Sequence, residues 1–177
     1  MKKLVVLCSI LFLSCGTKQS TTDTEKTSLN ISEMECPKPG KCSWEFMPNQ
    51  SLIIKDNTGG TFYPQFVENS KTSVIKFRYH QDSPEGVADG QYTEEVYFEV
   101  ENDEQKLFLK NEELQQVKLL YGRLCFCERG SVGYVKVNEG QLKYSKQDNK
   151  ILVSLDFENN QIPQVLKELQ GIVDLQE

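Results

Sequence analysis

The chain has 177 residues, which is enough for one compact domain with a hydrophobic core of its own. It carries 20 basic and 26 acidic residues, and its net charge is −6. This charge argues against nucleic acid or an anionic membrane surface as an electrostatic partner, because both attract clustered lysine and arginine.

The first residues have the pattern of an export signal. Lys2 and Lys3 precede an apolar run over residues 4–13, and small residues follow it. The run is shorter than the roughly 20 residues that cross a bilayer, so we predict that residues 1–14 are a signal peptide that is removed. Its removal takes away both lysines and leaves 18 basic against 26 acidic residues, a net charge of −8.

The residues Phe12-Leu13-Ser14-Cys15 resemble the lipobox of bacterial lipoproteins. The resemblance implies cleavage before Cys15, acylation of Cys15, and attachment to the bacterial cell envelope at the periplasmic face of the outer membrane. The motif departs from the family pattern at Phe12, where leucine is typical, and a signal peptide that is cut elsewhere is the alternative. Acyl chains hold a soluble domain to a membrane through buried methylene groups and need no apolar surface on the protein.

The segment after Cys15 is polar. Residues 16–32 are mainly Thr, Ser, Lys, Gln, Asp and Glu, a composition that offers too little apolar surface to offset the entropy of ordering the backbone. We therefore predict that residues 15–33 comprise the lipid-bearing cysteine and a flexible linker, and that residues 34–177 form a single β-rich domain.

The residues of this domain alternate between apolar and polar side chains, which predicts about eight or nine short strands at hairpin spacing. Turn residues such as Asn, Asp and Gly separate the alternating segments. The clearest inward-facing sets are Ile75, Phe77 and Tyr79, then Val96, Phe98 and Val100, and then Ile151, Val153, Leu155 and Phe157.

The end of the chain has a different period. Apolar residues recur at helical spacing over residues 162–175, and Pro163 suits the first turn of a helix. We therefore predict a mainly β fold, either an antiparallel β-sandwich or a small up-and-down barrel, with one C-terminal amphipathic helix that covers an open end or edge.

Four cysteines remain after the signal and the lipid site, namely Cys36, Cys42, Cys125 and Cys127. An even number in an exported chain predicts two disulfides. In the first arrangement Cys36 and Cys42 each pair with Cys125 or Cys127, which joins the N-terminal turn to a strand. In the second, Cys36 pairs with Cys42, while Cys125 and Cys127 form a strained bond or a dithiol. In the third, Cys125, Cys127 and the sole histidine, His80, bind Cu(I) or Zn(II).

No catalytic residue, resident metal or cofactor is predicted. His80 has no nucleophile motif near it, and the pairs Glu94-Glu95 and Asp103-Glu104 are expected to lie in water at turns or on outward strand faces.

Two functions from different classes follow. The first is a non-enzymatic envelope lipoprotein that binds a small apolar ligand or another envelope protein. If the fold is a barrel, Trp44 and the segment Phe62-Tyr63-Pro64 are expected at its mouth, in contact with the ligand. The alternative is a thiol-based redox or copper-handling envelope protein that uses Cys125 and Cys127.

Overall fold

The computed structural model describes residues 36–57 and 61–175. Within these residues the chain forms eleven strands and one short 3-10 helix, Asn111–Val117. The strands are β1 (Lys41–Met47), β2 (Gln50–Asp56), β3 (Phe62–Glu68), β4 (Thr72–Gln81), β5 (Tyr92–Glu101), β6 (Lys106–Lys110), β7 (Leu120–Cys125), β8 (Gly133–Lys136), β9 (Glu139–Gln147), β10 (Lys150–Glu158) and β11 (Glu168–Asp174). The predicted signal peptide, Cys15 and the linker up to residue 33 lie outside the described residues.

The strands form two antiparallel sheets. Seven strands form the larger sheet in the order β1-β4-β5-β7-β8-β3-β2, and four form the smaller sheet in the order β11-β10-β9-β6. The mainly β fold is confirmed, with more strands than the sequence predicted. The two sheets stay separate and pack against each other, so the sandwich is the correct alternative and the closed barrel is wrong.

The main hydrophobic core lies between the two sheets. The inward sets predicted on β4, β5 and β10 all lie in it and are almost fully buried. Leu142 and Tyr144 of β9 extend the core on the smaller sheet, and Tyr121 of β7 extends it on the larger sheet. Period-two alternation therefore identified the correct face of the three longest apolar strands.

The other face of the larger sheet is partly covered by its own β2–β3 hairpin. Only two residues separate β1 from β2, yet these strands lie at opposite edges of the sheet, so the sheet curls and brings the hairpin across its face. Leu52 of β2 packs there against Val74, Tyr97 and Leu120 in a second, smaller core. This layer buries side chains that the alternation assigned to solvent.

The predicted C-terminal helix is wrong, because residues 168–174 form strand β11 along the edge of β10. Leu169, Gly171 and Val173 point inward with period two, while Ile172 on the opposite face is 38% exposed. The spacing of the apolar residues fits both periods over this short segment. The open edge of β10 decides between them, since it pairs with the backbone of the whole segment.

The segment between β10 and β11 is irregular, and its buried residues Ile162 and Leu166 reach the main core from a loop. In the part of the chain that the structure describes, no helix has the length and apolar character required to cross a membrane.

Candidate functional site

Strand β5 carries a buried carboxylate, Glu94, which ties the C-terminal loop to the larger sheet. Glu94 has 0% exposure. Its carboxylate accepts hydrogen bonds from the backbone N–H of Val165 at 2.7 Å and of Leu166 at 2.8 Å, and from the hydroxyl of Tyr92. The sequence predicted Glu94 to lie in water, and this is wrong because the loop before β11 closes over it.

The neighbouring Glu95 lies on the other face of β5, beside Tyr97 and Tyr134 of the second core. Its carboxylate accepts the hydroxyl protons of Tyr134 at 2.5 Å and Tyr97 at 2.9 Å, and Lys76 Nζ lies 3.1 Å away. Burial by itself would raise the pKa of Glu95. The two hydroxyls and the ammonium group outweigh burial and hold this pKa below its ordinary value of 4.5.

Glu95 should therefore make the free energy of unfolding fall as the pH is lowered into the acidic range. A depressed pKa in the folded state contributes stability above about pH 4.5, and this contribution is lost as the pH falls through the folded-state value. We expect Glu95→Gln to lower the free energy of unfolding by about 1–3 kcal/mol at pH 7. We also expect the variant to lose less further stability than the wild type between pH 5 and pH 3.

Urea unfolding at several pH values, followed by the fluorescence of the sole tryptophan, measures both effects. Asp103→Asn, at an exposed acidic residue, is the matched control and should match the wild type. Equal acid sensitivity in Glu95→Gln and the wild type would contradict this role for Glu95.

The four described cysteines form two short-range disulfides. Cys36 pairs with Cys42, at a Cα separation of 5.6 Å, and Cys125 pairs with Cys127, at 5.2 Å. The long-range pairing between the N-terminal turn and β7 is therefore wrong, and the second predicted arrangement is observed in its disulfide form. The physical reason lies at the end of β7, where the strand stops at Cys125 and the chain bends at Phe126, so that Cys127 turns back toward its partner.

The Cys125–Cys127 loop lies beside an open cleft, which we call the disulfide cleft. Its lining residues are Arg78, His80, Asp89, Gln91, Thr93 and residues 124–126, and its volume is about 430 Å³. Phe126 is 88% exposed at the rim, and Cys127 is also exposed.

His80 is engaged by its neighbours in this cleft. Its Nδ1 lies 2.7 Å from Thr93 Oγ1, and its Nε2 lies 3.5 Å from Asp82. Both sulfur atoms of the Cys125–Cys127 pair are bonded to each other. Among residues 36–57 and 61–175, no three His, Cys, Asp or Glu side chains are grouped to hold a metal ion.

A second concave site lies where β1 of the larger sheet runs beside β11 of the smaller sheet. We call it the β1–β11 groove; residues 44–46, Pro48 and residues 172–174 line it, and its volume is about 490 Å³. β1 is the end strand of the larger sheet, and β11 is the end strand of the smaller sheet. The two strands run side by side without pairing. The groove is thus an open side of the main core.

Trp44 lines this groove at the point where β11 packs against β1. Its ring packs edge-on against Phe77 with ring centroids 4.8 Å apart. A Cβ atom on Gly171 would lie 2.3 Å from the indole nitrogen, so glycine at this position allows β11 to approach the ring. From this contact the lining residues continue along both strands, with half-buried Phe46 on one side and Ile172 on the other.

The sequence grouped Trp44 with Phe62-Tyr63-Pro64 at the mouth of a barrel. The two sheets form no barrel, and Trp44 lines the β1–β11 groove instead. Phe62, Tyr63 and Pro64 lie within strand β3, where Phe62 packs in the second core and Tyr63 is 48% exposed. The lining residues Ile172 and Asp174 were missed because residues 168–174 were assigned to a helix. Their period-two pattern was the available signal.

No family model matches this chain, and no match was found among curated proteins or solved structures.

Proposed function

We propose that this protein is a lipid-anchored binding module of the bacterial cell envelope, without enzymatic activity, and that its ligand lies in the β1–β11 groove. The observation that carries the proposal is the pair of half-buried aromatic residues, Trp44 and Phe46, on the open side of the sandwich. The resemblance of residues 12–15 to a lipobox supports anchoring through Cys15, and we place this anchor at the periplasmic face of the outer membrane.

The chemistry of the groove favours an apolar ligand or an apolar segment of an envelope protein. Trp44, Phe46, Pro48 and Ile172 supply apolar surface, and a volume of about 490 Å³ is in the range of small-molecule sites. Aromatic side chains that stay partly in water gain free energy when a ligand removes that water, at about 25 cal/mol for each Å² of apolar area. Binding therefore needs no catalytic group.

A neutral apolar dye tests this site. The mature chain carrying Cys15→Ala, which cannot be acylated there, is titrated with Nile red. We expect a saturable rise in dye emission, and a dissociation constant about tenfold higher for Ile172→Lys, because a charge in the groove opposes apolar binding. Ile172 is 38% exposed, so its replacement should spare the fold.

Val87→Lys is the matched control, because Val87 is 50% exposed outside the groove. Absence of saturable binding, or equal binding by Ile172→Lys and the wild type, would refute the groove as the ligand site. Labelled palmitate that is incorporated by the wild type in cells, and lost from Cys15→Ala, tests the anchor separately.

A second candidate function is thiol–disulfide exchange at Cys125–Cys127. The observation in its favour is that the exposed Cys127 belongs to a disulfide that closes a loop of sequence separation 2. The thiolate of a dithiol substrate protein would attack Cys127 Sγ and release the Cys125 thiolate, which takes up a proton. A second substrate thiol would then release Cys127, so that the substrate gains a disulfide and this chain becomes a dithiol.

Replacing both cysteines distinguishes the candidates. We expect Cys125→Ser with Cys127→Ser to stay folded and to lose less than about 2 kcal/mol, because a short loop restricts the unfolded chain only slightly. The measured quantity is oxidation of a reduced test dithiol by the mature chain, with the Cys36→Ser and Cys42→Ser pair as control. Exchange that vanishes only in the Cys125 and Cys127 variant supports redox function, and exchange that is absent from the wild type excludes it.

A further inference from the structure

We propose that the occupant of the β1–β11 groove is an extended, basic peptide segment of a partner protein, which adds as a strand along the open edge of β1. This inference rests on the proposed function, because both use the same groove. Three independent features of the described residues support it: the backbone of β1, the apolar lining and the charge of the rim.

The backbone of β1 offers hydrogen-bonding groups at an open edge. β1 pairs only with β4 and ends the larger sheet, and β11 beside it belongs to the other sheet. Half of the N–H and C=O groups of such a strand point away from its neighbour and can pair with an added strand. Outside β4, no described residue hydrogen bonds to the backbone of β1.

The opposite end of the same sheet is treated differently. On β2, the backbone N–H of Leu52 donates to the carboxylate of Glu99 at 2.5 Å, and the backbone C=O of Leu52 accepts from Lys118 Nζ at 3.0 Å. The carbonyl of Gln50 accepts from the Thr72 hydroxyl at 2.9 Å. Side chains thus pair with outward-facing backbone groups of the end strand β2. The outward-facing backbone N–H and C=O groups of β1 have no such partner among the described residues.

The lining of the groove suits the alternating side chains of a strand. Successive side chains of an extended peptide point to opposite sides, and residues two apart lie roughly 7 Å from each other. On one side they would enter the groove toward Phe46, beyond the contact of Trp44 with Gly171. An apolar residue at every second position of the partner meets this requirement.

The rim of the groove selects the charge of the partner. Glu45 and Asp174 are its two charged lining residues, and both are acidic. Their side chains are 57% and 71% exposed, and each forms one long ion pair, Glu45 with Lys76 at 3.8 Å and Asp174 with Lys150 at 3.7 Å, which leaves room for a further cation. Lysine or arginine at the alternate positions of a partner strand would therefore meet complementary charge.

Titration with synthetic peptides tests the proposal. The protein is the mature chain with Cys15→Ala, and the signal is the emission of Trp44, the sole tryptophan. The probe is a capped hexapeptide that alternates lysine and valine. The comparison peptides replace lysine by glutamate, or methylate the backbone nitrogens of the same sequence so that they cannot donate.

We expect the lysine–valine peptide to shift the Trp44 emission saturably and to protect from hydrogen exchange those amides of β1 that face away from β4. Both comparison peptides should bind at least about tenfold more weakly, one through charge repulsion and the other through lost backbone pairing. Glu45→Gln with Asp174→Asn should remove most of the preference for lysine over glutamate without unfolding the domain, because both side chains are exposed.

Equal binding of the methylated peptide would overturn strand addition, and equal binding of the glutamate peptide would overturn the charge preference. If Nile red binds in an Ile172-dependent manner while no peptide does, the partner class is wrong and the proposed function stands. If neither the dye nor any peptide binds, the proposed function fails together with this inference.

Discussion

Glu94→Ala should destabilise the fold by about 3–5 kcal/mol, as expected when a buried hydrogen-bonded acceptor is removed. The backbone N–H groups of Val165 and Leu166 would both lose their acceptor, and the Tyr92 hydroxyl would lose its partner. Glu94→Gln should also destabilise, by about 1.5–3 kcal/mol, because the amide NH₂ would face one of the two backbone donors. A near-isosteric change would thus be costly here.

Equilibrium unfolding in urea measures these losses. Glu101→Ala is the matched control, since Glu101 is an exposed glutamate at the end of the same strand. Hydrogen exchange adds a local readout, in which the amides of Val165 and Leu166 should lose protection in Glu94→Ala before the rest of the fold does. A Glu94→Ala protein within about 1 kcal/mol of the wild type would exclude the anchoring role.

Of the glycine-to-alanine substitutions in the described residues, we expect Gly140→Ala to destabilise the fold most. Gly140 has φ of 137°, which L-residues with a side chain rarely adopt, and a Cβ atom there would lie 2.1 Å from the backbone oxygen of Asp156. Because the obstacle is the backbone of the paired strand β10, side-chain rotation cannot relieve it. We expect a loss of more than about 4 kcal/mol, or no folded protein.

Gly86→Ala separates the steric effect from the conformational one. Gly86 also has a positive φ, of 78°, but nothing lies within 4 Å of an added Cβ atom. We expect Gly86→Ala to lower the free energy of unfolding by only about 1 kcal/mol, the usual cost of placing alanine in the left-handed region. Thermal unfolding of both variants beside the wild type decides the matter, and a Gly140→Ala protein as stable as Gly86→Ala would contradict the close approach of β9 and β10.

Both the groove and the burial of Glu94 depend on how the two sheets end. β11 takes the edge of β10 and leaves β1 beside it as an open strand of the other sheet. The loop that leads into β11 must then cross the larger sheet, and Glu94 supplies acceptors for its backbone. The proposed binding surface and the Glu94 contacts that hold the loop before β11 are therefore both consequences of the pairing of β11 with β10.

The sequence by itself determined the parts of this fold that are local. Period-two alternation placed Ile75, Phe77 and Tyr79 in the core, because the side chains of a strand alternate whatever lies across from them. Composition indicated an even set of cysteines suited to two disulfides, and both are present. The sequence also drew attention to Trp44 as a ligand-contacting aromatic residue, although it grouped Trp44 with Phe62 and Tyr63 of a different strand.

Only the tertiary structure decided which polar positions are buried, which cysteines meet and which period governs the last strand. Glu94 and Glu95 look like solvated charges until the loop before β11 covers the first and Tyr134 of β8 covers the second. The bend at Phe126 allows Cys125 to reach Cys127, and the free edge of β10 turns residues 168–174 into a strand. The deciding feature is either a segment far away in sequence or a local bend of the backbone. Alternation of apolar and polar residues along a single segment carries no information about distant segments or bends.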